Sequence, residues 1–165
     1  MAIEIVDGKV LRGECVSYNE KHNQYDVTQV ANEKRILIVE DNDFKYEELV
    51  RILKKNELTN YVRETTLNMG IRECRKGTQH VDIIILDMQF PIIMQGEIER
   101  KAGVEFINTL KFYYGRMKDK KFPQIIGYTS EDFYKMLGDN LPKEFVGQGS
   151  NSYMVEQILK ELLGV

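Results

Sequence analysis

Carboxylate side chains stand at the ends of two apolar runs in this sequence. Asp87 directly follows an isoleucine-rich run in "VDIIILDMQFP" (81–91), and Glu40 and Asp41 follow the run "RILIV" (35–39). A buried carboxylate is costly unless it is paired, hydrogen-bonded or bound to a metal ion. Carboxylates held close together repel one another and raise at least one pKa, and a divalent cation removes that conflict. Hard oxygen ligands suit Mg²⁺, so the acids predict a magnesium site.

A simpler explanation exists for each acid taken alone. Asp41 or Asp43 could do no more than cap the helix that follows, and Asp87 could be solvated at a strand end. The set is harder to explain in this way, because its members end two different strands. We therefore interpret the acids together as a functional site, provided that the two strands are neighbours.

The elements that must position these acids alternate between strands and helices from residue 35 onward. Continuous isoleucine-rich runs at 35–40 and 82–87 predict strands that are buried on both faces. Further strands are predicted at 60–65, 124–130 and 144–148, and amphipathic helices at 44–55, 67–76, 104–114, 131–137 and 153–163. Alternation with right-handed crossovers predicts an α/β fold with a doubly wound, five-stranded parallel sheet.

One edge of the predicted sheet collects polar side chains. In doubly wound sheets, ligands bind outside the carboxyl ends of the strands. The residues at predicted carboxyl ends include Glu40, Asp41, Asp87, Thr129 and Gln148. This coincidence brings the acids, a hydroxyl group and an amide to the edge where a ligand is expected.

The composition is that of an ordinary soluble domain. The 165 residues are 42% apolar and 30% charged, a balance that can bury a core within one domain. The net charge of −3 argues against nucleic acid as the principal partner, and the basic stretch 115–123 is interpreted as a solvated turn. Neither a membrane span nor a secretory signal is predicted. Cys15 and Cys74 make a poor disulfide framework, so we expect reduced thiols and a cytoplasmic location.

The first 33 residues follow a different pattern from the rest. Asp7-Gly8 lies between two apolar-rich arms, which predicts a β-hairpin with a two-residue turn within 3–18. The polar stretch 19–26 is interpreted as a linker. We therefore divide the chain into an extension, 1–33, and a main domain, 34–165. The hairpin could pack on its own domain or on another chain, as in a homodimer.

Four segments of the main domain resemble the receiver domain of two-component response regulators. "ILIVEDND" resembles the family's first strand with its acidic pair, carried here by Glu40 and Asp41. "IIILDMQFP" resembles the third strand, with Asp87 at the phosphoacceptor position and Pro91 at the customary distance. "IIGYTS" resembles the fourth strand, whose hydroxyl falls on Thr129, and "GVEFINTLK" resembles the opening of the third helix.

The resemblance implies the flavodoxin-like strand order 2-1-3-4-5 and a role in phosphoryl transfer. A histidine kinase or a phosphotransfer protein would donate a phosphoryl group to Asp87, with Mg²⁺ as the cofactor. A carboxylate can attack phosphorus in line while the metal ion neutralises developing charge. The metal ligands would be Glu40, Asp41, Asp87 and the backbone carbonyl of Met88. Thr129 would hydrogen-bond a phosphoryl oxygen, or cap the helix predicted from residue 131, and the two roles can coexist.

The sequence departs from the family pattern at the end of the fifth strand. If Phe145 stands for the family's switch aromatic, Gln148 occupies the position of its lysine and Gly149 that of its proline. Glutamine brings no positive charge, and a charge-assisted hydrogen bond is roughly twice as strong as a neutral one. The departure weakens the prediction of a phosphorylation-driven switch. Phe145 is then either the switch residue or a core aromatic.

The loop after Pro91 is a second departure. Residues 92–103 form a segment that is longer than the family's counterpart, and Ile92, Ile93 and Met94 lie near its start. Long loops at sheet ends often carry function. The loop is interpreted either as a functional element or as a floppy insertion.

Three functions are compatible with these features. The first is a single-domain receiver that accepts a phosphoryl group on Asp87 and signals through protein contacts to an unspecified output protein. It would be no enzyme beyond slow self-dephosphorylation. The alternative is a pseudo-receiver, an interaction module that works without phosphorylation, which Gln148 favours. A metal-dependent phosphotransfer or nucleic-acid-cleaving enzyme usually has a second acid two residues after the central one, where this chain has Gln89.

Overall fold

A five-stranded parallel sheet forms the centre of the protein, with helices on both faces. The computed structural model describes residues 34–76 and 79–164, together with four short strands nearer the N-terminus. The sheet consists of β1 (Ile36–Val39), β2 (Tyr61–Glu64), β3 (Ile83–Leu86), β4 (Gln124–Tyr128) and β5 (Phe145–Gly149). The strand order is 2-1-3-4-5 and neighbouring strands run parallel, so the predicted fold is confirmed.

Five helices connect or follow these strands, close to the predicted positions. They are α1 (Asp43–Lys55), α2 (Leu67–Arg75), α3 (Ala102–Tyr114), α4 (Phe133–Leu137) and α5 (Ser152–Leu163), and a short 3₁₀ helix (Gly138–Asn140) follows α4. Asn42 caps α1 by accepting a hydrogen bond from the N–H of Lys45, so neither Asp41 nor Asp43 is the cap. In the described ranges, no helix has both the length and the apolarity that crossing a membrane requires.

The apolar runs in β1 and β3 are continuous because both faces of the sheet are covered. Leu37, Val39, Ile84 and Leu86 belong to the core on the face of α2 and α3. The residues alternating with them, Ile36, Ile38, Ile83 and Ile85, belong to the core on the face of α1 and α5. All eight side chains are at most 2% exposed. Burial on both faces explains why these strands are uniformly apolar rather than alternating.

The described parts of the N-terminal extension are two antiparallel strand pairs. Ile5–Val6 pairs with Lys9–Val10, with Val6 opposite Lys9, which agrees with the predicted hairpin around Asp7-Gly8. Ser17–Asn19 pairs with Gln24–Asp26, so part of the segment interpreted as a linker forms strands. The prediction that this hairpin packs on its own domain or on another chain concerns contacts that lie outside the described residues.

The long loop after β3 contains a small antiparallel hairpin. Phe90–Pro91 pairs with Ile98–Glu99, and the N–H of Asn68 on α2 donates a hydrogen bond to the carbonyl of Ile92 over 3.1 Å. These contacts give the loop a regular element and tie its start to α2, which favours the interpretation of a functional element. The hairpin leaves three apolar side chains exposed near the carboxyl edge of the sheet, namely Ile93, Met94 and Ile98.

Candidate functional site

The carboxyl ends of β1 and β3 bring Glu40, Asp41 and Asp87 together. One oxygen atom from each carboxylate lies within 4.8 Å of the other two. The strands are neighbours with Val39 opposite Leu86, so the residues that follow them meet at the same edge. Glu40 is 1% and Asp87 is 8% exposed, whereas Asp41 is half-buried. The structure therefore assembles the acidic cluster that the strand ends predict.

Burial is the largest influence on the pKa values of Glu40 and Asp41. It raises the pKa of Glu40 to about 7, with the negative charge of Asp87 adding to the shift and Lys45 partly offsetting it. Burial also raises the pKa of Asp41. Oε1 of Glu40 accepts a hydrogen bond from the N–H of Asn42. The other oxygen, Oε2, is buried and accepts no hydrogen bond of good geometry from the described residues, although the ammonium of Lys45 lies 2.6 Å away.

Lys45, a residue that the sequence analysis did not select, enters the middle of the cluster. Its Nζ lies 2.6 Å from Oε2 of Glu40 and 2.9 Å from Oδ2 of Asp87. The same ammonium donates to the carbonyl of Tyr128 over 3.1 Å and lies 4.7 Å from the centre of that ring. Burial lowers the pKa of Lys45, but the two carboxylates outweigh burial and leave the pKa above its ordinary value.

A positional signal for Lys45 was present in the sequence. The residue lies in the first turn of α1, only four positions after Asp41. Side chains on a helix point toward its N-terminus, so a long side chain in the first turn can reach back over the end of β1. Carboxylates that follow apolar runs stand out in the sequence, whereas a single cation on the polar side of the adjoining helix does not.

Arg63 on β2 fixes the turn that carries the acidic pair. Its Nε donates to the carbonyl of Glu40 over 2.9 Å, and Nη2 donates to the carbonyl of Asp41 over 3.0 Å. Nη1 lies 2.7 Å from a carboxylate oxygen of Asp43, and the guanidinium stacks 4.4 Å from the ring centre of Tyr46. These contacts hold the main chain of the turn, so Arg63 acts as a positioning residue.

A cavity of about 290 Å³ opens beside the acids. Its lining comprises Lys45, Asp87, Gln89, Thr129, Ser130, Glu131 and Ser150. Thr129 is buried, and its Oγ1 accepts a hydrogen bond from the N–H of Glu131 over 3.1 Å. Asp132 caps α4, so the interpretation of Thr129 as the helix cap is wrong. Thr129 instead joins Asp87 in the wall of the cavity.

The backbone after β3 is engaged by the start of α3. Oδ1 of Asp87 accepts a hydrogen bond from the N–H of Met88 over 2.7 Å. The carbonyl of Met88, predicted as a metal ligand, accepts a hydrogen bond from the N–H of Gly103 over 2.9 Å. A Cβ atom at Gly103 would lie 2.5 Å from the carbonyl oxygen of Asp87, so this close approach requires glycine. The structure thus shows the Met88 carbonyl bound to α3.

Gln148 is tied to the loop before α4 and does not line the cavity beside Asp87. Its Nε2 donates to the carbonyl of Glu131 over 2.8 Å, and its Oε1 accepts from the N–H of Phe133 over 2.9 Å. Phe145 is buried, with its ring centre 5.4 Å from that of Phe133 and 5.3 Å from that of Tyr134. In this structure Phe145 has the contacts of a core aromatic.

Comparison with known proteins establishes the class of fold. No protein-family model and no curated protein sequence matches the chain. Three similar solved structures each contain a response regulator or its receiver domain. A chain in the co-crystal structure of the Saccharomyces cerevisiae histidine phosphotransfer signalling protein Ypd1 with the receiver domain of Ssk1 is 17% identical, with 78% of this chain and 87% of that chain covered and a TM-score of 0.57.

The other two structures are cyanobacterial or metal-bound regulators. The phosphorylated cyanobacterial phytochrome response regulator RcpA is 17% identical, with 78% and 90% of the two chains covered and a TM-score of 0.56. The Mn²⁺-bound form of response regulator Rcp1 is 14% identical, with 78% and 91% covered and a TM-score of 0.56. The chain therefore has the fold of a response regulator receiver domain, and its acidic cluster is compatible with a divalent metal ion.

Proposed function

We propose that the protein is a single-domain receiver that accepts a phosphoryl group on Asp87 in a Mg²⁺-dependent reaction. The observation that carries this proposal is the place of Asp87. Its carboxylate follows β3, meets the carboxylates of Glu40 and Asp41 within 4.8 Å, and shares a cavity with Thr129. This arrangement combines an acceptor, a cluster of hard oxygen ligands and a hydroxyl group at one edge of the sheet.

The chemistry requires an oxygen nucleophile and neutralisation of charge. A carboxylate oxygen of Asp87 forms a bond to phosphorus while the phosphorus–nitrogen bond of a phosphohistidine breaks, and the imidazole leaves with the bonding electrons. The hydroxyl of Thr129 donates a hydrogen bond to a phosphoryl oxygen. Attack of water on phosphorus later releases inorganic phosphate and restores the carboxylate.

The acidic residues fit a divalent cation. Glu40, Asp41 and Asp87 offer three converging oxygen atoms, and Oε2 of Glu40 is buried without a well-formed hydrogen bond among the described residues. These three side chains would hold Mg²⁺, which when bound supplies neutralisation of the charge on the phosphoryl oxygens. The Met88 carbonyl would join them only in addition to its hydrogen bond with Gly103.

The phosphoryl donor is a histidine kinase or a histidine phosphotransfer protein, and the output is a contact with another protein. The similarity to a chain in the Ypd1–Ssk1 co-crystal structure supports this kind of donor. The protein then acts as a phosphoacceptor whose own activity is limited to slow self-dephosphorylation.

Intact-mass spectrometry after incubation with Mg²⁺ and acetyl phosphate tests the proposal. We expect one phosphoryl adduct on the wild type and on Asp119→Asn, which changes an exposed acid outside the cluster. The adduct should be missing from Asp87→Asn. A wild type without an adduct, or an adduct that persists in Asp87→Asn, would contradict phosphorylation at Asp87.

A pseudo-receiver is the second candidate, and the position of Lys45 favours it. Its ammonium already contacts two of the three acids, at 2.6 Å and 2.9 Å, so the cluster is partly neutralised without a metal ion or phosphate. In that case the fold serves as an interaction module. The mass experiment would then show no adduct on a protein that remains folded.

A further inference from the structure

Lys45 occupies the region in which the three acids would hold a metal ion. Its ammonium is contacted from the β1 side by Glu40, from the β3 side by Asp87 and from β4 by the carbonyl and ring of Tyr128. The contacts come from the carboxyl ends of three adjacent strands, whereas Lys45 itself belongs to α1. The lysine is therefore a cation tethered inside the carboxylate cluster.

The same carboxylate oxygens cannot bind the ammonium and a metal ion at full strength at the same time. Lys45 lies against Oε2 of Glu40 and Oδ2 of Asp87, and these acids supply two of the three carboxylates in the cluster. Two cations at the same carboxylates would also repel each other. Binding of a divalent cation thus requires Lys45 to withdraw from at least one of its partners.

Lys45 has a route for such a withdrawal. Its side chain is 26% exposed and lines the cavity that Asp87 and Thr129 also line. Lysine carries its ammonium on a flexible four-carbon stem, so the charge can move into the cavity while α1 stays in place. The backbone N–H of Lys45 remains held by the cap residue Asn42.

We propose that Lys45 is a built-in competitor of the divalent metal ion, which neutralises the metal-free cluster and sets the metal affinity of the site. This inference rests on the metal binding proposed above and concerns a residue outside the ligand set. Removing the lysine charge should strengthen metal binding, although it removes two attractive ion pairs from the metal-free protein. Stronger metal binding despite the loss of two ion pairs distinguishes a competitor from a residue that merely supports the fold.

Mn²⁺ is the probe for this competition, because its free form is quantified directly by electron paramagnetic resonance. Mn²⁺ is titrated into wild type, Lys45→Met, Lys45→Arg and Lys54→Met. Lys54 lies on the same helix, is exposed and is the matched control. We expect Lys45→Met to bind Mn²⁺ about tenfold more tightly or better, since a charge-assisted contact must no longer be broken. The two other variants should stay close to the wild type.

Thermal melting in a chelator shows which variants are folded without metal. If Lys45→Met is unfolded there, Lys45→Gln replaces it, because glutamine keeps a donor for the Tyr128 carbonyl without the charge. Equal Mn²⁺ affinities of the wild type and the uncharged variant would overturn the competition while leaving metal binding intact. Absence of Mn²⁺ binding in both would overturn the proposed metal site itself. Binding by the uncharged variant alone would support the competition.

Discussion

The side-chain amide of Gln148 is fastened to the backbone of Glu131, with its Nε2 donating to the carbonyl oxygen over 2.8 Å. A second bond, from the N–H of Phe133 to Oε1, completes the connection between β5 and the loop before α4. At the position where the family resemblance leads one to expect a lysine, this chain therefore has a neutral structural link. The positive charge at the site comes from Lys45 on α1 instead.

Replacement of Gln148 by leucine should destabilise the protein. The change leaves the N–H of Phe133 and the carbonyl of Glu131 without these partners, a loss that we expect to cost about 1–3 kcal/mol. Urea unfolding measures the free energy. Gln157→Leu, on the exposed face of α5, is the control. Equal losses for the two variants would show that the link carries no stability.

Mg²⁺ should raise the melting temperature of the wild type. A ligand that binds the folded state stabilises it by mass action, and the acidic cluster offers three oxygen ligands. Asp41→Asn should reduce the rise, whereas Asp119→Asn should leave it unchanged. Calorimetric melts across a Mg²⁺ series provide the measurement. If millimolar Mg²⁺ leaves the melting temperature constant, the pseudo-receiver is the better description.

The stability of the metal-free protein should fall as the pH rises through the range in which Glu40 titrates. Burial raises the pKa of Glu40 from 4.5 to about 7, so between these values the folded state holds a proton that the unfolded state has lost. The stabilisation is complete below the lower pKa and is lost as the pH passes the upper one.

The variant Glu40→Gln isolates this contribution. Glutamine does not titrate, so the variant's free energy of unfolding in a chelator should fall less between about pH 5 and about pH 8 than that of the wild type. Glu161→Gln on α5 is the matched control. Parallel pH profiles for the wild type and Glu40→Gln would show that Glu40 is not the titrating group.

Loss of the Arg63 guanidinium should loosen the acidic turn. Arg63→Met keeps an apolar stem but removes the hydrogen bonds to the carbonyls of Glu40 and Asp41. We therefore expect the free energy of unfolding to fall by about 1–3 kcal/mol. Mn²⁺ binding should weaken in parallel. Lysine lacks the planar fork of arginine and should not restore either property.

The matched control for Arg63→Met is Arg51→Met, which alters an exposed position on α1. Urea unfolding and Mn²⁺ titration are carried out on both variants. A variant at Arg63 that is destabilised but binds Mn²⁺ as the wild type does would contradict a positioning role. A weakened affinity with little change in stability would strengthen that role.

Deletion of residues 1–26 should lower the stability or change the oligomeric state. An isolated two-stranded hairpin is barely stable in water, so its apolar residues need a surface to cover. These residues are Ile3, Ile5, Val10, Leu11 and Val16. Thermal melting and sedimentation test the prediction. A truncated protein that melts and sediments as the full chain does would identify the segment as a tail.

The sequence by itself determined the architecture and the acidic cluster. Uniform apolar runs encode strands that are covered on both faces, and helices between them require a parallel sheet. Once the strand order is known, residues after β1 and β3 must lie at one edge. Glu40 and Asp87 could therefore be predicted to meet, because their encounter depends on the backbone alone.

Only the tertiary structure decided which other side chains surround these acids. Lys45 reaches the carbonyl of Tyr128, and Arg63 on β2 reaches the carbonyls of Glu40 and Asp41 in the turn after β1. Periodicity in a sequence records which face of an element is buried. It does not record where a long, flexible side chain finds its partners, because those partners are brought together only when separate elements pack. The sequence therefore shows which charged residues the chain contains, whereas only the folded structure shows which of them lie at this site.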